Sequence, residues 1–575
     1  MLYDIIQVSA DKNNKKCKIL SCERNFIMFE ECFKTLSSLE KVVIDQMPVA
    51  NEISHASILK NQRYSFQIAY TARDIPGRRT FKFEIKSELA PYITVRSVGH
   101  VPSEMPTYRE LYDDYLINGG KPGLYPDPLF PMAEQKVATM YGAFDSLWFT
   151  VDTKGEVEAG TYDIEVVFTN KEESCTKKMT IEIVDAYLPE QKLMFTQWFH
   201  GDCIASHYNV PMFSEEHWAW LEKFVATATK NGINMLLTPI FTPPLDTKVG
   251  GERPTIQLVD IFLNNGEYSF NFDKLGRWFD MCLKCGVKYF EMAHLFTQWG
   301  ALYCPKIMAT VDGEYKRIFG WDTSSTSDEY REFLSKFLPA LTGYIEERGL
   351  KDVTIFHISD EPHEENIEAY TAAKEGAAKY LEGYMIMDAL SQVKFFNSGL
   401  VKHPMASLHY FTDFIEAGVK PRFTYYCCGH RDKFSNRFFA FPSWRTAMLG
   451  VQMYKYSIDG FLQWGYNFYY SQFSIRKIDP YYTTDAGRAF PSGDAFSVYP
   501  GENECIESIR LVVFHDGIQD MRALDLLESY IGKEAVDKLI DEVAGMEVTF
   551  KEYPTGSYFL EALRRRVVEE IKKHI

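Results

Sequence analysis

The stretch DVTIFHISDEPHEE (352–365) decides the reading of this chain. Its first half, 353–358, is a short apolar run dominated by β-branched and aromatic residues, which predicts a buried parallel strand. The run ends in two adjacent carboxylates, Asp360 and Glu361. Pro362 then stops the strand and suits the first turn of a helix, where Glu364 and Glu365 favour the positive end of the dipole. Acids at the carboxyl end of a parallel barrel strand are where such folds hold their reactive groups. The same residues also fit plain helix capping, so the rest of the chain has to decide between the two.

Outward from 352–365, short apolar runs alternate with longer helical stretches, the pattern of repeated βα units. The runs are MFTQWF at 194, NMLLTP at 234, YFEMAH at 289, VTIFHI at 353, VKFFNS at 393, ASLHYF at 406, RFTYYC at 422 and GFLQWG at 460. Eight strands close a TIM-type (β/α)8 barrel. Helices are clearest at 215–231, 273–285, 327–348 and 364–382. Beyond the barrel, 503–531, 533–545 and 556–575 predict a helical extension, so the second domain runs 191–575.

Residues 1–190 read as a separate all-β domain, an immunoglobulin-like β-sandwich. Period-two segments at 63–72, 79–87, 146–153, 161–170 and 177–186 are divided by turns such as Pro76-Gly77 and Lys154-Gly155. The Pro-, Tyr- and Gly-rich segment 102–131, ending LYPDPLFP, is expected to be a connection laid over the sandwich. DAYLPEQ (185–191) is the expected linker, and the sandwich is expected to buttress the barrel.

Composition limits the function classes. A formal net charge of -17 repels phosphate backbones and anionic membranes, which argues against nucleic-acid and membrane partners. The aromatic share, 15%, fits clefts that stack on sugar faces. Eleven scattered cysteines, including the neighbours Cys427 and Cys428, and an N-terminal stretch without signal-peptide character point to the cytoplasm. Cys282 and Cys285 form a lone CxxC, for which packing is the expected role. There is no GxSxG, P-loop or dinucleotide fingerprint, and no cofactor or metal is expected.

The strand ends should furnish one cleft. They supply Trp198, His200 and Asp202 from the first strand, then His294, Gln298 and Trp299 from the third. The fourth gives Asp360 and Glu361, the seventh Tyr425 and Tyr426, and the eighth Trp464, Tyr466 and Asn467. The candidate sugar-binding set is Trp198, His200, His294, Trp299, Tyr426, Trp464, Tyr466 and Asn467. An ordinary retaining glycosidase needs two carboxyl groups about 5 Å apart across the scissile bond. Two neighbours on one strand end do not straddle a sugar that way, and the seventh and eighth strands carry no acid. An adjacent pair does suit a 2-acetamido sugar whose own carbonyl oxygen attacks C1. One carboxylate holds the amide N–H and the other protonates the leaving oxygen.

The motifs YPDPLFP (125–131), HISDEP (357–362), TYYCCG (424–429), GFLQWGYN (460–467), SGDAFSVYPG (492–501) and SIRLVVFHDGIQD (508–520) follow one another as in glycoside hydrolase family 123, which the chain resembles. The resemblance implies a β-sandwich followed by a TIM-type barrel. It also implies an exo-acting β-N-acetylgalactosaminidase that retains configuration through an oxazoline-like intermediate, with Asp360 on the amide and Glu361 as acid/base. By looser similarity, Tyr426 would bond the acetamido carbonyl and Trp464 would wall its methyl pocket. The expected substrate is a terminal β-linked GalNAc on an oligosaccharide such as a glycosphingolipid glycan. One departure is HDGIQDMR, with His515, Met521 and Arg522 where the family pattern reads RDGIxDYE. It bears on subfamily, in a segment expected to be structural. Two alternatives stand beside this reading: a hydrolase of another β-hexoside (GlcNAc or galactose), and a non-catalytic carbohydrate-binding protein.

Overall fold

The computed structural model describes residues 29–72, 78–108, 115–171, 173–426 and 433–575. The N-terminal stretch, the Pro76-Gly77 turn and residues 427–429 of TYYCCG lie outside these.

Two five-stranded sheets form the N-terminal part. One runs Phe33–Ser37, Tyr64–Thr71, Phe144–Val151, Ile93–Ser103, Gly123–Pro131 in spatial order. The other runs His55–Leu59, Ser174–Val184, Gly160–Thr169, Arg78–Lys86, Lys136–Met140. Period-two alternation turns Ile164, Val166 and Phe168 inward from one sheet to meet Phe33, Phe66 and Phe149 of the other in a single core. Phe33 stacks on Phe168 at 4.2 Å between ring centroids.

The segment LYPDPLFP is not a connection. It belongs to the strand Gly123–Pro131, which pairs with Ile93–Ser103 at the edge of its sheet. Its prolines are tolerated because one side of an edge strand needs no ladder donors. The register shifts between Val98 and His100, at Gly99, where a Cβ would lie 2.3 Å from the Phe130 ring.

The second part contains a closed barrel of eight parallel strands: β1 (Met194–Gln197), β2 (Met235–Thr238), β3 (Tyr289–Met292), β4 (Thr354–Phe356), β5 (Met385–Leu390), β6 (His403–Ser407), β7 (Phe423–Tyr425) and β8 (Gly460–Gln463). Six were placed correctly by their apolar runs. The fifth was not: VKFFNS supplies the short helix Lys394–Asn397, and the strand is MIMDAL (385–390), eight residues earlier. Asp388 interrupts that run and hides it. The acid is tolerated because the Ile358 and Ser359 N–H groups donate to its Oδ1 at 2.8 and 3.2 Å, and Tyr370 donates to Oδ2. ASLHYF likewise covers only the end of β6 and continues into the 3-10 turn Leu408–Tyr410. Pro362 does not begin a helix either: a 3-10 turn at Glu364–Asn366 precedes the helix Ile367–Ala378.

Helices Glu215–Lys230, Asp273–Lys284 and Asp328–Glu347 stand where helical periodicity put them, the first and third N-capped by Ser214 and Ser327. Cys282 and Cys285 are unbridged, the first buried. A small four-stranded sheet, Glu267–Asn271, Asp260–Asn264, Ile307–Val311, Glu314–Phe319, was not anticipated. It is built from the segments that follow β2 and β3.

Three of the quoted motifs converge at one buried carboxylate. Asp127 of YPDPLFP accepts two hydrogen bonds from Arg510 of SIRLVVFHDGIQD, at 2.8 and 2.9 Å, and one from Tyr499 of SGDAFSVYPG at 2.6 Å. The sheet edge is thereby fastened to the helix Ile509–Ile531. That helix crosses Ser443–Lys455 at two glycines, and a Cβ on Gly450 would meet the Gly517 carbonyl oxygen at 1.8 Å. The HDGIQD departure lies in this packing, with His515 Nδ1 2.9 Å from an Arg63 guanidinium nitrogen. Among the described residues no helix is long and apolar enough to cross a membrane.

Candidate active site

Strand parity selects what enters the barrel. Trp198, Leu237, Ile355, Met387, Met405, Phe423, Tyr425 and Leu462 form the inner cluster, with Trp464 against it. On β3 and β4 the inward positions above Tyr289 and Ile355 are Glu291 and His357.

Glu291 is the residue that sequence reasoning missed. It is completely buried, and both of its oxygens are engaged. Thr196 Oγ1 donates to Oε2 at 2.9 Å, Trp198 Nε1 donates to Oε1 at 2.9 Å, and His357 Nε2 lies 2.8 Å from Oε1. The signal was present in YFEMAH, where the lone acid stands at an inward position of a strand.

His357 lies between two carboxylates, since its Nδ1 is 3.8 Å from Asp388 Oδ1. Burial favours neutral imidazole, but the nearby Asp388 charge and the hydrogen bond and charge of Glu291 override it and carry the pKa up to about 10. His294 stacks on His357 at 4.6 Å and meets Trp198 edge to face at 5.4 Å. Burial and the neighbouring His357 charge hold the His294 pKa well below its usual value.

Asp360 and Glu361 stand three and four residues beyond this floor, both partly exposed. Trp299 N–H donates to the Asp360 carbonyl at 2.8 Å, and Ser359 Oγ donates to the Thr297 carbonyl at 2.8 Å, so the β3 and β4 loops brace each other. Glu361 has φ +43°, a left-handed conformation unusual for a non-glycine residue and common at functional sites. Burial, followed by the Glu361 charge, pushes the Asp360 carboxyl well above the usual carboxylate range, while His357 pulls it down. Tyr425 Oη donates to Glu361 Oε1 at 2.5 Å and lies 3.1 Å from Ser391 Oγ.

Trp464 and Tyr426 meet through a second missed carboxylate. Trp464 Nε1 donates to Asp494 Oδ2 at 2.8 Å, and Tyr426 donates to Oδ1. Burial raises Asp494 to about 6 against those two hydrogen bonds. Trp464 also packs on Phe468 and Phe490, each at 5.1 Å, and Trp299 meets Phe473 edge to face at 5.8 Å. These rings make the expected aromatic rim.

Three expected cleft residues are used elsewhere. Tyr466 is fully buried, gives its hydroxyl to the Phe224 carbonyl at 2.9 Å and stacks on Phe199, so it packs the helix Glu215–Lys230 and leaves the candidate site. Asn467 spends its side-chain amide on the backbone of His200, accepting at 2.8 Å and donating at 3.1 Å. His200 is itself buried, 3.1 Å from Arg253, which is paired with Asp202 at 2.6 Å. All three follow β1 or β8, where the chain turns into supporting packing.

A closed barrel with adjacent acids beyond one strand end and an aromatic rim is an arrangement that suits a barrel glycoside hydrolase. The family description "Glycoside hydrolase 123, catalytic domain" matches residues 198–527, and the chain belongs to that family. A family 123 glycoside hydrolase from Clostridium perfringens, whose structure concerns glycolipid glycan hydrolysis, superposes with a TM-score of 0.72 at 15% identity. The alignment covers 94% of this chain and 98% of that one. A Bacteroides uniformis β-glucuronidase aligns over 81% of this chain and 50% of its own at 10% identity, with a TM-score of only 0.28. No curated protein sequence matches the chain.

Proposed function

We propose that the protein is an exo-acting β-N-acetylgalactosaminidase that removes terminal β-linked GalNAc from oligosaccharides such as glycosphingolipid glycans, with retention and by substrate assistance. The observation that carries this reading is the pairing of Asp360 with Glu361 while the other inward acid, Glu291, is closed off. A carboxylate nucleophile must reach C1. Glu291 is fully buried with both oxygens bonded, and Asp494 is in the same condition. With those two acids closed off, this reading gives the nucleophile's part to the substrate's own acetamido oxygen.

In this reading Asp360 accepts the amide N–H and turns the carbonyl oxygen onto C1. Glu361 gives its proton to the glycosidic oxygen as the C1–O bond breaks, which leaves an oxazolinium ion whose positive charge faces Asp360. Glu361 then takes a proton from the water that opens the ring at C1. Tyr426, with its hydroxyl on Asp494, is placed to shape the pocket beside Trp464, and Tyr425 is the tyrosine that touches the acid/base. Support for the substrate class comes from family membership and from the glycolipid glycan activity of the clostridial relative. We read the two-sheet part as an immunoglobulin-like support, with the domain boundary near residue 190, and the cytoplasm as the setting.

The test is the stereochemistry and inhibition of turnover on an aryl β-GalNAc. Early release of the β-anomer, together with tight inhibition by the GalNAc-derived thiazoline that mimics the oxazoline, is expected. Release of the α-anomer, or indifference to the thiazoline, would overturn the mechanism.

A further inference from the structure

Backbone strain and hydrogen bonding converge on a carboxylate at the barrel mouth for which the proposed reaction has so far given no use. Asp246 lies in the loop after β2, next to Leu245, which packs in the inner cluster with Trp198 and Trp464. Its N–H donates to Gln298 Oε1 at 2.6 Å, its carbonyl accepts from Ser474 Oγ at 2.8 Å, and its Oδ2 accepts from the Phe473 N–H at 3.0 Å. Phe473 meets Trp299 edge to face, and the Trp299 N–H donates to the Asp360 carbonyl. Direct contacts thus join the loops after β2, β3 and β8 to the backbone of the acid pair. Asp246, Trp299, Phe473 and Ser474 all have left-handed backbones, with φ +39°, +61°, +59° and +55°. Non-glycine residues keep such angles where surrounding bonds over-determine them, and they cluster at ligand sites.

What these bonds leave over is Asp246 Oδ1. Among the described residues nothing donates to it, and it is not a buried orphan, since the residue is half-buried. Burial pushes the Asp246 pKa up to about 6, so at neutral pH the group is a carboxylate that can only accept. Its place on the ring of strands selects the donor. In a closed barrel of eight, β3 stands opposite β7. Tyr425 on β7 holds Glu361, whose proton goes to the oxygen on C1. C4 is the pyranose carbon opposite C1, so it is turned toward the side where Gln298 holds Asp246.

We propose that Asp246 is a specificity residue: its free oxygen accepts a hydrogen bond from the C4 hydroxyl of the terminal sugar, and its bonds to Gln298, Phe473 and Ser474 fix where that oxygen stands. The inference rests on the exo-acting reading above and adds the contact that reads the orientation at C4. A carboxylate aimed at one orientation separates GalNAc from GlcNAc, because the wrong epimer leaves a desolvated charge without its donor.

The test compares aryl β-GalNAc with its 4-deoxy analogue on wild type and on Asp246→Asn, a change that keeps an oxygen for the Phe473 N–H and removes the charge. Wild type is expected to lose about 100-fold or more in kcat/KM on the 4-deoxy substrate. Asp246→Asn is expected to lose about 10-fold or more on the parent substrate, with its preference for the parent shrinking by a similar factor. Equal losses on both substrates would make Asp246 a loop prop and overturn the proposal. A wild type without preference for the parent would overturn it too, and that result needs no folded variant. If wild type turns over no hexosaminide, titration calorimetry decides. Tighter binding of GalNAc than of 4-deoxy-GalNAc would uphold the contact although the reaction fails, and equal binding, or none, would overturn both.

Discussion

Tyr425 Oη donates a 2.5 Å hydrogen bond to Glu361 Oε1, across the barrel mouth from the end of β7 to the turn after β4. The bond ties the proposed acid/base to a strand and leaves its other oxygen for the proton that is transferred. Tyr425→Phe keeps the ring in the inner cluster and removes only the hydroxyl. We expect kcat on an aryl β-GalNAc to fall about 10-fold or more with little change in KM, since a mispositioned acid weakens proton transfer. Less than a twofold loss in steady-state kinetics would rule this role out.

Tyr426 should behave differently from its neighbour. Its hydroxyl goes to Asp494, whose other oxygen holds Trp464. Tyr426→Phe is therefore expected to raise KM more than it lowers kcat, through a looser Trp464 wall. A larger effect on kcat than that of Tyr425→Phe would reverse the two assignments.

The glycine crossing carries a stability prediction. A Cβ at Gly517 would lie 2.5 Å from the Ala447 carbonyl oxygen, and one at Gly450 would be closer still to Gly517. Either Gly→Ala change forces helices Ser443–Lys455 and Ile509–Ile531 apart, at a cost of about 1–3 kcal/mol or more. Denaturant unfolding measures it, and an unchanged midpoint would contradict the packing described.

His357 also predicts how stability depends on pH. Its folded pKa, about 10, lies above the ordinary value of 6.5, so the stabilisation is complete below pH 6.5 and is lost as pH rises through about 10. Unfolding free energy should decline between pH 7 and 10 by on the order of a few kcal/mol more in wild type than in His357→Gln. Parallel slopes in denaturant titrations across that range would contradict a charged His357.

Much of this architecture could be read from local pattern. Six barrel strands announced themselves as apolar runs because both faces of a parallel strand are buried. The misplaced one contains Asp388, whose partners come from the turn after β4 and from a helix and so are invisible in a local window. LYPDPLFP read as a loop because proline content hides an edge strand. Of the residues given roles in the proposed site, Asp360, Glu361, Trp198 and Trp464 could be picked out from their positions at strand ends. Glu291 and Asp494 were not weighed, because a single acid in an apolar run acquires meaning only when its partners are known. Tyr466 and Asn467 were included by proximity to β8, and side-chain direction after a strand ends is set by packing that the sequence does not display.

The most direct measurement is hydrolysis of aryl β-GalNAc, β-GlcNAc and β-galactoside side by side, with wild type, Asp360→Asn and Glu361→Gln. The account predicts turnover of the GalNAc substrate, falling by orders of magnitude in both variants, and no comparable turnover of the galactoside. Equal turnover of the galactoside, which has no amide to attack C1, would contradict substrate assistance and require a carboxylate nucleophile.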